Sequence, residues 1–208
     1  TLDGGTGSDT ADYSASMQAV NINLATGVVS GGDAQGDTLI SIENVIGTIF
    51  GDTLTAAAAG SRLEGRVGDD VLFGGVGQDL IDGGTGNDTV SYANSSQAVT
   101  VSLLTGMNVG GYADDDILID IENVTGSAND DSLTGDNSAN ILTGGAGNDT
   151  LAGRGGADNL IGGAGLDTAD YSASASGVVV NLAQGIGSGG DAQGDTLSEI
   201  ENITGSGF

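Results

Sequence analysis

The sequence predicts an all-β fold, a solenoid of stacked parallel strands. Three observations predict it: a period of 79 residues, a period of nine residues within it, and a glycine-rich composition without proline. Tyr13, Tyr92 and Tyr171 each open the same phrase, YSASMQAVNINL, YANSSQAVTVSL and YSASASGVVVNL. The phrase closes on Ile42-Glu43-Asn44, Ile121-Glu122-Asn123 and Ile200-Glu201-Asn202. Between phrases runs the nine-residue repeat, unbroken in GGVGQDLID followed by GGTGNDTVS at 74–91. A period inside a period implies near-identical rungs, each stabilised by its neighbours. Forty glycines suit a chain that turns every few residues, and the lack of proline leaves every backbone N–H free to join a ladder. With only seven aromatic residues, Leu, Ile, Val and Ala must fill a narrow interior.

Taken in order, residues 1–12 end a truncated block, 13–91 form one repeat unit, 92–170 a second, and 171–208 begin a third, together one continuous solenoid. The chain reads as a slice of something longer. Each block holds five nonapeptides, starting at Gly47 and at Gly126. Position six is usually Asp and position eight usually aliphatic: Leu54, Leu63, Leu72, Ile81 and Val90, then Leu133, Leu142, Leu151 and Leu160. Six turn-forming residues followed by three in a strand, the middle one inward, make half a rung. In the 34-residue phrase, Val20, Ile22 and Leu24 alternate with polar residues, the period of a half-buried strand. A second strand is expected over 38–45 with Leu39 and Ile42 inward, and a third over 28–30. Three half-rungs and five make eight, or about four turns per 79-residue unit.

The copies GGVGQDLID, GGTGNDTVS, GGAGNDTLA and GGAGLDTAD closely resemble the nonapeptide of the RTX, or haemolysin-type calcium-binding, repeat family. Five further copies, starting at 47, 65, 126, 135 and 153, are degenerate, and the one at 56–64 has lost the pattern. The resemblance implies a right-handed parallel β-roll or β-helix with calcium-binding turns. It also implies type I secretion, with the chain unfolded in low cytosolic calcium and folding outside the cell.

The residues argue for calcium independently. Ca²⁺ takes six to eight oxygens from carboxylates and backbone carbonyls. A glycine-rich turn exposes carbonyls, Asp at position six adds a carboxylate, and the loop 18 residues later completes the cage. The candidate ligands are Asp9, Asp52, Asp70, Asp79, Asp88, Asp131, Asp149, Asp158 and Asp167. Asp52 is expected beside Asp70, Asp70 beside Asp88, Asp131 beside Asp149, and Asp149 beside Asp167. On the opposite edge Asp79 meets Ser61 and Asp158 meets Asn140, which makes those sites weaker or empty. The phrase has its own acid loop, GGDAQGD, GGYADDD and GGDAQGD, which adds Asp37, Asp116 and Asp195 as candidates. By the eight-half-rung count, Asp37 would lie beside Ser61 and Asp116 beside Asn140. Glu43, Glu122 and Glu201 recur at the period as turn caps or ladder acceptors, and the three tyrosines as lids over the interior.

A net charge of −26, from 29 acids against three arginines, repels nucleic acid and anionic membrane alike. No apolar run reaches membrane-spanning length. Without His, Cys or Lys, serine triads, thiol chemistry and histidine metal sites are excluded within this chain, and it is not expected to be an enzyme. The reading that follows is a calcium-dependent structural module of a secreted protein such as an adhesin, an S-layer-like protein or a biofilm matrix protein, with end-to-end or surface association. A non-catalytic module of a secreted protease, lipase or alginate epimerase is the alternative. An ice- or polysaccharide-binding face is disfavoured, because the Thr85 and Asn87 pair is not repeated from turn to turn.

Overall fold

A computed structural model describes all 208 residues. It is all-β, its only helical pieces being three short 3-10 turns in the acid loops, Gly32–Ala34, Gly111–Ala113 and Gly190–Ala192. Contacts divide the chain into two compact units, Thr1–Ser91 with Tyr112–Ile121, and Tyr92–Gly111 with Glu122–Phe208.

Each unit is a parallel β-roll. In the first, Leu2 pairs with Leu39. A second ladder runs Ala11, Val45, Leu63, Ile81 and Leu118, and a third runs Ile22, Leu54, Leu72 and Val90. In the second unit one ladder runs Val101, Leu133, Leu151, Ala169 and Ile203, and the other Val124, Leu142, Leu160 and Leu197. The nine-residue period predicts those that fall in the nonapeptides, from Leu54 to Val90 and from Leu133 to Leu160; in the phrase the buried residue is Val45 and not the expected Ile42, which with Leu39 is only half-buried. Leu54, Leu63, Leu72, Ile81, Leu133, Leu142, Leu151 and Leu160 are wholly buried, each contributing about 1.5–3 kcal/mol of hydrophobic stabilisation.

The phrase folds differently from expectation in two places. Val28–Ser30 does form a strand, but it runs antiparallel against Asn21–Asn23. The intervening turn is too short to carry the chain around the roll. It is closed by the Gly27 N–H on the Asn23 carbonyl at 2.8 Å and by the Thr26 N–H on Asn23 Oδ1 at 2.9 Å. The same hairpin recurs at Asn108–Val109 and at Ile186–Ser188. The strand expected over 38–45 is instead two, Leu39–Ile40 and Asn44–Ile46. Ser41 breaks it with φ 51, as Asp120 (φ 48) and Glu199 (φ 55) do in the later copies.

The parallel strands of a period still number eight, but they are arranged in threes and twos. In the first unit Leu2, Ala11 and Ile22 make one rung, Leu39, Val45 and Leu54 the next, and Leu63 and Leu72 the third. A 79-residue period therefore makes about three turns, not four. Ile81, the counterpart of Leu2, lands on the ladder of Ala11 instead of that of Leu2.

Candidate metal centre

The side chain at position six closes each nonapeptide turn. In the first unit Asp52 Oδ1 accepts the Val20 N–H at 2.8 Å, Asp70 Oδ1 that of Asp52 at 2.6 Å, and Asp88 Oδ1 that of Asp70 at 2.8 Å. In the second, Asp131, Asp149 and Asp167 each accept through Oδ1, from Val99, Asp131 and Asp149, all at 2.7 Å. The four expected aspartate pairs are thus consecutive steps of one carboxylate ladder per unit. Position one must be glycine for this to fit. A Cβ on Gly65 would collide with Asp70 Oδ2 and the Gly83 carbonyl, and one on Gly144 with Asp149 Oδ2 and the Gly162 carbonyl.

On the opposite edge the Ser61 N–H donates to Asp79 Oδ1 at 2.6 Å and the Asn140 N–H to Asp158 Oδ1 at 2.9 Å, as expected. The acid loops do not take the places the eight-half-rung count gave them. The Asp79 N–H donates to Asp116 Oδ1 at 2.8 Å, and the Asp158 N–H to Asp195 Oδ1 at 2.9 Å. Each acid loop leads into a strand, Ile117–Ile119 or Thr196–Ser198, that stacks on the strand after Asp79 or Asp158. Ser61 and Asn140 meet the close of the phrase instead. The Arg62 N–H donates to Asn44 Oδ1 at 2.9 Å, and Asn140 Nδ2 to the Glu122 carbonyl at 2.8 Å. Arg62 itself forms a partly exposed ion pair with Glu64 at 2.7 Å.

The recurring tyrosines and glutamates serve the ladders. Tyr13 Oη donates to Asp37 Oδ2 at 3.3 Å and Tyr171 Oη to Asp195 Oδ2 at 2.9 Å. Burial, with the facing carboxylate second, pushes Tyr13 up to about 12 and raises Tyr171 further. Glu43 Oε2 accepts the Asp9 N–H at 3.0 Å and Glu201 Oε2 that of Asp167 at 2.9 Å. Position five carries a further ladder that the sequence reading missed. Asp69 Oδ1 accepts the Asn87 N–H at 2.9 Å, Asp130 Oδ1 that of Asn148 at 2.7 Å, and Asn148 Oδ1 that of Leu166 at 3.0 Å. Its signal was the Asx-Asp pair at positions five and six, as in Asp69-Asp70 and Asn148-Asp149.

The electrostatics of the inner ladder are unbalanced. Asp70, Asp149, Asp158 and Asp167 are at most 1% exposed. In each of them, and in Asp9, Oδ2 is buried with no hydrogen-bond donor. Burial pushes Asp70 and Asp158 up to about 7 and Asp149 to about 6, and the charges of Asp52, Asp88 and Asp69 add to the effect at Asp70. Asp79, Asp131 and Asp195 are raised by burial too. A buried carboxylate oxygen without a donor is costly, and a cation beside it removes the cost. No three acidic side chains converge on one point, so an ion held here would need backbone carbonyls for its remaining oxygens. An all-oxygen donor set of this kind suits Ca²⁺.

Fold and donor chemistry together define a calcium-binding β-roll repeat. Residues 55–90, 120–151 and 134–169 match, in four copies, the family model described as the RTX calcium-binding nonapeptide repeat. These segments are similar to that repeat, which is described as calcium-binding. No curated protein matches the chain.

Proposed function

We propose that this chain is a calcium-dependent structural module of an extracellular protein exported by type I secretion, and that it folds as it meets calcium outside the cell. The observation that carries this reading is the set of aspartates, Asp70, Asp149, Asp158 and Asp167 among them, whose buried second oxygens have no donor. A chain at −26 opposes its own compaction through self-repulsion, and ordering its backbone costs about 1–2 kcal/mol per residue. In the low-calcium cytosol only the narrow apolar interior opposes these terms, and no cation adds to it. Outside, millimolar calcium saturates sites with dissociation constants of about 10⁻⁴ to 10⁻³ M, and metal binding free energy becomes folding free energy.

The folded chain is then a structural section of a larger protein: an adhesin, an S-layer-like protein or a biofilm matrix protein. No helix is long and apolar enough to cross a membrane. Calcium titration followed by circular dichroism tests the proposal. The expected result is a conversion from coil to β structure that chelator reverses. A chain already fully β in chelator would overturn it.

A further inference from the structure

The eleven nonapeptides fall into two backbone states, and in ten of them the state of position two goes with whether the position-six side chain is satisfied by the protein. In five of them position two is Thr48, Ala57, Gly75, Ser127 or Asp136, all outside the left-handed region. In each of these its N–H donates to the position-six side chain: Thr48 to Asp52 Oδ2 at 2.5 Å, Ala57 to Ser61 Oγ at 2.8 Å, Gly75 to Asp79 Oδ2 at 2.8 Å, Asp136 to Asn140 Oδ1 at 2.8 Å, and Ser127 to Asp131 Oδ2. Thr48 and Ser127 add their hydroxyls, donating to Oδ1 at 3.1 and 2.9 Å. These turns are capped.

In the other six, position two is left-handed: Gly5 (φ 85), Arg66 (84), Gly84 (95), Gly145 (114), Arg154 (74) and Gly163 (104). Asp9, Asp70, Asp149, Asp158 and Asp167, the position-six residues of five of these, are the ones whose buried Oδ2 has no donor. Gly84 places the turn of Asp88 in the same group by its backbone. Arg66 and Arg154 adopt this conformation although a side chain there costs about 1–2 kcal/mol. At these two of the six positions the strain sits beside an unsatisfied buried carboxylate oxygen, a combination that points to function.

We infer that calcium is held by the open turns, through Asp9, Asp70, Asp88, Asp149, Asp158 and Asp167, while Asp52, Asp79 and Asp131 are internal caps that bind none. This rests on the calcium reading above and departs from the motif. The degenerate copies GRVGDDVLF and GRGGADNLI bind, and the well-formed copy GGVGQDLID does not. The acid-loop Asp195 falls with the caps, since its oxygens accept the Asp158 N–H and the Tyr171 hydroxyl.

The test is the number of calcium ions bound per chain at saturation, by equilibrium dialysis, in the full chain. Asp70→Asn and Asp149→Asn lower the count, whereas Asp52→Asn and Asp79→Asn leave it at the wild-type value. Arg66→Thr, which copies the cap of Thr48 without removing a carboxylate, also lowers the count, and Arg66→Gly does not. An equal loss in Asp79→Asn and Asp70→Asn, or an unchanged count in Arg66→Thr, overturns the inference. A wild-type chain that binds no calcium overturns the underlying reading instead, so the two failures are told apart.

Discussion

The turns at 65–73 and 74–82 follow one another in the chain and bury the same kind of core residue, Leu72 and Ile81, yet they treat their aspartates in opposite ways. Asp79 receives the Gly75 N–H on Oδ2 and the Ser61 N–H on Oδ1. Asp70 receives only the Asp52 N–H, and its Oδ2 is left buried without a donor. The cores teach that the rungs are equivalent as hydrophobic steps. The edges teach that they are not equivalent as ligands, and the difference lies in one backbone angle at position two.

The largest expected effect is one the two turns share. Leu72→Ala and Ile81→Ala each truncate a fully buried side chain and cost about 2–5 kcal/mol in thermal unfolding with calcium present. A marked inequality between them would break the equivalence of the rungs. The edges then separate. Asp79→Asn weakens a cap made to two backbone N–H groups and costs about 1–3 kcal/mol at saturating and at limiting calcium alike. Asp70→Asn costs more at saturating than at limiting calcium, because where the ion is absent it removes an unfavourable buried charge. Unfolding curves at both conditions check this.

The pH dependence has a definite sign. The folded pKa of about 7 for Asp70 and Asp158 and about 6 for Asp149 lies above the unfolded value of about 3.9. Between those limits the folded state binds more protons, so stability rises as pH falls. Calcium-free chain should therefore gain β structure between pH 8 and pH 5. Circular dichroism in chelator reads it, and a loss over that interval would contradict the raised values. Arg66→Gly relieves a left-handed side chain and raises stability by about 1 kcal/mol. The smallest effect is expected at Gly177, where an added Cβ meets nothing within 4 Å. Gly177→Ala stays within about 0.5 kcal/mol of wild type.

Much of this was legible in the sequence. The nine-residue period located the inward Leu54, Leu72 and Leu142, and the fixed aspartates located the carboxylate ladders. The hairpin at Val28–Ser30 was not, because alternation marks a strand without saying which way it runs. Nor was the break at Ser41, since its copies are Asp120 and Glu199 and none is the glycine that usually marks a left-handed residue. The wrong turn count followed from these two, and it misplaced Asp116, which pairs with Asp79. The state of position two is hidden for another reason. Gly75 and Gly84 sit in nearly identical motifs, but Gly75 packs on Ala56 and Ala57 of the turn that lost the pattern, whereas Gly84 packs on Arg66. A single repeat does not report which neighbour it stacks on.

The most direct measurement is a crystal structure of the chain grown in calcium, with the ions located by anomalous scattering. The account predicts peaks beside Asp70, Asp149, Asp158 and Asp167 and none beside Asp52, Asp79 or Asp131. Peaks at both sets alike, or no peaks along either ladder, would contradict it.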